Sequence, residues 1–285
     1  MKVEELAFTF DCQGTPLVGI LHRPAQPHAR GVLAVVAGGP QYRAGCCRQL
    51  VYMARALSAQ GYAVMRFDYR GMGDAGGEFL GFQHVEDDLR AALEAFRKTV
   101  PELKEVVFWG GCDAASAGMI HAHRFPIVTD MILGNPYAHS NETEAAVTRQ
   151  YYWQRLRDKD FWANALKLRV NPFKAAQSAL GSIFGFGQKK NKPTQATTVD
   201  NVPFTERMLQ GMQQFRGKSL LVMSGQSLTS QEFDVLASAS PKWRKLLSTA
   251  AIERCDIAEA DQAFSTIEAR DHLIDAALQW LKRQV

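Results

Sequence analysis

The stretch Val106-Val107-Phe108-Trp109-Gly110-Gly111-Cys112-Asp113-Ala114 sets a thiol between a strand-like apolar run and a run of small residues that reads as a helix start. A cysteine on such a sharp turn stands at a helix N-terminus. There the dipole and the free N–H groups favour an anion. The position therefore predicts a lowered thiol pKa, and the thiolate is the form that attacks. The same residues also describe a small buried side chain in a tight turn, so the chemistry depends on what else reaches Cys112.

An attacking thiol normally works with a histidine that takes its proton and later protonates the leaving group. Of the seven histidines, His22 and His28 belong to the N-terminal region, His84 precedes a surface helix, His121 and His123 lie on the helix leading away from Cys112, and His272 is on the last helix. His139 follows a strand that ends at Asn135-Pro136 and is the one placed to face a pocket. Glu232 and Asp234 stand as replacement acids. Asp113 beside the sulfur would oppose ionisation if it faced it, so it is expected to point away and cap the helix.

The elements that must position these groups alternate. "LAFTF" and "PLVGILHRP" read as an antiparallel hairpin turning at Gly14-Thr15, and "GVLAVVAGG" as a strand buried on both faces. "CRQLVYMARALSAQG" and "VEDDLRAALEAFRKTV" have helical spacing. "YAVMRF", "EVVFWGG" and "VTDMILGNP" read as further strands. This rhythm predicts an α/β fold with a mostly parallel sheet covered on both faces. It breaks from about 138 to 217, where "QYYWQRLRDKDFWANALKL" and a loose tract near 185–203 read as an inserted helical cap with a mobile loop. The sheet resumes at "KSLLVMSGQ" and "AAIERCDIAEA", and a terminal helix closes the chain. The expected organisation is core 1–137, cap 138–217 and core 218–285. Within "DYRGMGD", Asp68 and Arg70 are expected to pair and hold loops.

Composition narrows the partners. Of 285 residues, 46% are apolar and 22% charged, and the net charge of +4 is dispersed apart from "GQKKNKP". No nucleic-acid site is implied. The five cysteines, Cys12, Cys46, Cys47, Cys112 and Cys255, include no C-x-x-C pair, so a disulfide framework, a zinc site or another metal is not expected. Reduced thiols and a cytoplasmic location are expected. No run of about 18 apolar residues is present to cross a membrane. No cofactor is called for, and a homodimer is left open.

The hairpin, the alternating strands, the glycine-rich turn at Cys112 and the late insertion look like the α/β-hydrolase fold, with a sheet of about eight strands. "VVAGGPQYRAGCCRQ", "RFDYRGMGDAGGEF", "GGCDAASAG", "YYWQRLRDKDFW" and "ADQAFS" resemble the α/β-hydrolases associated with the bacterial exosortase A system, which are encoded alongside exopolysaccharide genes. The resemblance implies a hydrolase with cysteine at the nucleophile turn. It also implies an acid just after the strand ending at Ser224 and a histidine just after the strand ending near Ala258. The sequence has Ser227 and Gln262 at those places. An amide cannot titrate, though it can hydrogen-bond the sulfur. The resemblance further implies an oxyanion hole from the backbone N–H of Asp113 and that of Gln41 or Gly39, since Pro40 has none. Tyr42, His139 and Tyr152 are expected around a pocket for a small acyl or lipid-like substrate. Two functions follow: a cysteine-dependent ester or thioester hydrolase or acyltransferase, or a non-catalytic hydrolase-fold protein that binds a lipid-linked or saccharide intermediate or a protein partner.

Overall fold

The computed structural model describes residues 2–37, 42–139 and 202–284. The chain divides into two compact units, residues 1–143 with 202–285, and residues 144–201. The second unit, including Tyr152 and nearly all of the tract near 185–203, lies outside the described residues.

Eight strands form one sheet in the order β1-β2-β4-β3-β5-β6-β7-β8: β1 (Val3–Cys12), β2 (Thr15–Pro24), β3 (Arg30–Val35), β4 (Val64–Phe67), β5 (Glu105–Gly111), β6 (Val128–Gly134), β7 (Lys218–Gln226) and β8 (Ile252–Asp261). The β1–β2 and β2–β4 pairs are antiparallel and the rest parallel. The central strands are apolar on both faces, with β4 buried throughout and β3 buried after Arg30. Helices α1 (Gln49–Ala59), α2 (Glu86–Thr99), α3 (Asp113–His121), α4 (Phe204–Gln214), α5 (Leu228–Ala239), α6 (Pro241–Leu247) and α7 (Ile267–Arg283) accompany the sheet. α2 matches its dipole, with Glu86, Asp87 and Asp88 in the first turn and Arg97 and Lys98 in the last.

Register decides where the chemistry can lie. Gly111 pairs with Gly134, Gly134 with Val222, and Gln226 with Asp261. The residues that follow β5, β6, β7 and β8, namely Cys112, Asn135, Ser227 and Gln262, therefore emerge side by side at the carboxyl edge of the parallel strands. That edge is where open α/β sheets bind ligands. α4, placed within the insertion on sequence grounds, belongs to the larger unit. It seats on α3 because residue 211 is glycine: a Cβ there would meet the Met119 carbonyl oxygen at 2.1 Å.

The expected Asp68–Arg70 pair does not form. Arg70 embraces Asp88, with Nη2 to Oδ2 at 2.8 Å and its backbone N–H to Oδ1 at 2.8 Å. Asp68 is buried and takes the Arg43 backbone N–H at 2.5 Å, the Arg43 guanidinium, and the Asp74 N–H at 3.2 Å. Arg66 donates to the Arg43 carbonyl at 2.7 Å. The backbone of Arg43 is thus clamped at both its N–H and its C=O.

Arg66 also donates through Nε to His22 Nε2 at 3.0 Å, which requires a lone pair there and so a neutral ring. Burial, and then the Arg66 charge, push the His22 pKa down to about 4; burial and nearby arginines push buried His121 down to about 3. Below the ordinary histidine pKa of about 6.5 the unfolded chain takes a proton on each ring that the folded chain refuses. Stability is therefore full above that pH and lost as pH falls from there toward 4, by roughly 1.4 kcal/mol per pH unit for each ring. Urea midpoints at pH 7 and pH 5 should differ accordingly, and His22→Gln should roughly halve the difference, His121 keeping its share.

Candidate active site

Cys112 has φ 54° and ψ −124°, between the last residue of β5 and the first of α3. A positive φ on a non-glycine residue persists only where its surroundings enforce it. Here the Cys112 N–H donates to the Gly134 carbonyl at 2.8 Å, and its own carbonyl accepts the Ala115 N–H at 3.1 Å and the Tyr137 N–H at 3.1 Å. The turn needs glycine at 110, where a Cβ would lie 2.7 Å from the Ala114 carbonyl oxygen. The sequence thus builds a strained strand-to-helix turn at Cys112 from β5, α3 and the end of β6.

Of the residues singled out in the sequence, Gln262 stands beside Cys112, and Ser227 beside Gln262. The Gln262 side chain hydrogen-bonds the sulfur, as does the Asp113 backbone N–H. Ser227 donates through Oγ to Gln262 Oε1, which turns the amide NH₂ toward the sulfur. The order Cys112, Gln262, Ser227 is that of a nucleophile–histidine–acid relay, with an amide and a hydroxyl in the last two places. Neither replacement accepts a proton at neutral pH.

The thiol itself departs from expectation. Burial first, and the Asp113 charge second, push its pKa up to about 11, against the opposing hydrogen bonds from the Asp113 N–H and Gln262. Glu232 adds to the rise. The helix N-terminus was expected to lower it, but desolvation of a sulfur set into the protein outweighs that field. Asp113 does not stand off as a remote cap: it is the first residue of α3, and its charge is felt at the sulfur. At pH 7 the thiol is therefore almost wholly protonated.

A cavity of about 150 Å³ opens at the sulfur, with Val35, Cys46, Trp109, Cys112, Gln262 and Phe264 in its wall. That volume suits a short acyl group. Tyr42 and His139 are not among its lining residues. Tyr42 is exposed with the Arg43 guanidinium over its ring at 5.8 Å, and His139 Nδ1 meets Glu232 Oε1 at 2.7 Å. Tyr137, pinned on the Cys112 carbonyl, brings the His139–Glu232 pair to the flank of the turn. Gln41 and Gly39 lie outside the described residues, so of the expected oxyanion donors the structure places Asp113. Among the described residues no group of three or more His, Cys, Asp or Glu could hold a metal ion.

Sequence reasoning missed Asn135. Its Oδ1 accepts from the Ser224 N–H at 2.8 Å and Ser230 Oγ at 2.6 Å, and its Nδ2 donates to Ser224 Oγ at 2.8 Å and the Gln262 carbonyl at 3.1 Å. It ties the ends of β6, β7 and β8 together behind Cys112. The signal was a lone polar residue closing the apolar run of β6 just before a proline.

The family model described as serine aminopeptidase, S33 (Hydrolase_4), matches residues 27–169, half of the chain. The chain belongs to this family. The S33 match contains the Cys112 turn and ends before β7 and β8, so it does not reach Ser227 or Gln262. No curated protein sequence matches this S33 chain. Among solved structures it is similar to the Pyrococcus furiosus esterase Pf2001, with TM-score 0.63 at 13% identity over 99% of this chain and 91% of that one. It is also similar to the dienelactone hydrolase of Anabaena variabilis, with TM-score 0.61 at 13% identity over 99% of both chains. Est1E of Butyrivibrio proteoclasticus, solved with ferulic acid bound, gives TM-score 0.60 at 16% identity over 98% of this chain and 99% of that one. At such identities these likenesses establish the α/β-hydrolase fold of this S33 protein and nothing finer. Among the described residues no helix is long and apolar enough to cross a membrane.

Proposed function

We propose that this S33 chain is a cytoplasmic acyl hydrolase or acyltransferase acting on esters or thioesters through Cys112, in the bacterial exosortase and exopolysaccharide setting that its sequence resembles. The observation that carries the reading is the strained turn that presents Cys112 to a cavity with Gln262 and Ser227 in relay order. In acylation the sulfur forms a bond to the carbonyl carbon as its proton passes to solvent. The Asp113 N–H, with Gln41 or Gly39 as second donor, meets the developing oxyanion, and the alkoxide or thiolate leaves with a proton from water. Gln262 orients the sulfur but cannot activate a deacylating water. The acyl-enzyme therefore accumulates, as in single turnover or in transfer to an acceptor stronger than water.

p-Nitrophenyl acetate followed by intact mass tests this. One acetyl group should map to the peptide that carries Cys112 and be absent from that peptide in Cys112→Ala. The rate should rise about tenfold per pH unit between pH 7 and 10, because the thiolate fraction does so below a pKa near 11. No adduct, or an equal adduct in the variant, overturns the reading. The raised thiol pKa and the two replaced relay residues favour the second reading, a hydrolase fold kept for binding a lipid-linked or saccharide intermediate or a protein partner.

A further inference from the structure

Cys46 and Cys47 precede α1 in a short turn, with their Sγ atoms 3.8 Å apart. Adjacent side chains do not meet by default: on a helix they diverge, and on a strand they point to opposite faces. The backbone explains the contact. Cys47 has φ 51° and Arg48 φ 61°, two successive non-glycine residues in the left-handed region. Such a conformation is uncommon even singly. The described residues show no chemistry for Cys112 that requires this strain. Its visible result is to bring two sulfurs together. Cys47 is exposed, while Cys46 is half-buried and shares the cavity wall with Cys112.

We propose that Cys46 and Cys47 form a reversible dithiol modification site for low-molecular-weight disulfides, and that its oxidation controls access to Cys112. The Cys47 thiolate attacks one sulfur of the small disulfide, forming a mixed disulfide and releasing one thiolate. Cys46 then gives its proton to solvent and attacks the Cys47 sulfur, closing the Cys46–Cys47 bond and releasing the second thiolate. Two protein thiols are oxidised, and one disulfide is reduced to two thiols. Cys47 is the entry point because it is exposed, whereas burial and the neighbouring sulfur push the Cys46 thiol up. Neighbouring Cα atoms lie about 3.8 Å apart, short of the roughly 4.4–6.8 Å that a relaxed disulfide spans. The bond is therefore strained and readily reduced, which suits a switch rather than a structural link. Closing it re-aims the Cys46 sulfur in the wall of the cavity.

The effect on catalysis rests on the proposed role of Cys112, but the test does not use acyl transfer. The full chain is incubated with oxidised glutathione and digested with trypsin. Both sulfurs fall in one peptide, Ala44–Arg48. The expected result is loss of two hydrogens from that peptide, reversed by dithiothreitol and absent in Cys47→Ser, with severalfold slower alkylation of Cys112 by iodoacetamide. A persistent glutathione adduct on Cys47 with Cys46 still alkylated, a cross-link to the Cys112 peptide, or closure that leaves Cys112 alkylation unchanged overturns the proposal. A failure of the ester test alone would leave these readouts intact.

Discussion

Gln262→His combined with Ser227→Asp should raise the turnover of p-nitrophenyl acetate by about a hundredfold or more, the usual contribution of a positioned acid–base pair. The places are already in contact: Ser227 Oγ reaches Gln262 Oε1, and the Gln262 side chain reaches the Cys112 sulfur. An imidazole in place of the amide would take the thiol proton that now has no acceptor. It would then hold the thiolate as an ion pair and activate the deacylating water. A carboxylate in place of the hydroxyl would orient that ring. It would also keep the cap on α5, where the Ser230 N–H now donates to Ser227 Oγ at 3.2 Å, since aspartate caps as well as serine. Buried at that position, it needs both partners, so Ser227→Asp alone should do little or lower stability. Gln262→His alone should give part of the gain and move the pH dependence of acylation from the thiol range toward that of histidine. If the double variant folds and remains as slow as the unmodified chain, the cavity does not hold an ester in attack geometry, and the binding reading takes its place.

The fold was legible because its signals are local. The run "GVLAVVAGG" is apolar on both faces and becomes β3 in the sheet interior, and "VEDDLRAALEAFRKT" carries its own end charges and becomes α2. The Cys112 turn was legible for the same reason: two glycines and a string of small residues permit few other structures. Ser227 and Gln262 were reachable only through a family resemblance, since nothing in their local sequence marks them. The direction of the thiol pKa was not legible, because it depends on how deeply the sulfur is set and on the Asp113 charge felt there. Asp68 was paired with the wrong arginine for a related reason. Arg70 is two residues away, but Arg43, 25 residues back, is brought to it by the segment that leads into α1. Adjacency of Cys46 and Cys47 is plain in the sequence, whereas the left-handed φ that turns their sulfurs together belongs to the entry of α1.

Asn135→Leu is expected to cost about 4 kcal/mol of stability, read as a shift in the urea midpoint, and to reduce whatever reactivity Cys112 has. The native side chain fills both of its acceptor sites and both of its donor sites: Ser224 N–H and Ser230 Oγ on one side, Ser224 Oγ and the Gln262 carbonyl on the other. Leucine leaves these groups buried without their partner, at about 1–3 kcal/mol for each one that water cannot reach. It also meets a φ of 46°, which asparagine tolerates and leucine does not. Asn135→Asp separates the two contributions. It keeps the shape, the backbone conformation and the acceptors for Ser224 and Ser230. It loses the donor to Gln262 and sets a carboxylate against that carbonyl. Stability should fall less than with leucine, while the residue after β8 is pushed away from the sulfur. Acetylation and iodoacetamide alkylation of Cys112 should therefore change in the aspartate variant out of proportion to its stability. Equal losses in both variants would mean that Asn135 serves the fold alone, and that Gln262 holds its place beside the thiol without it.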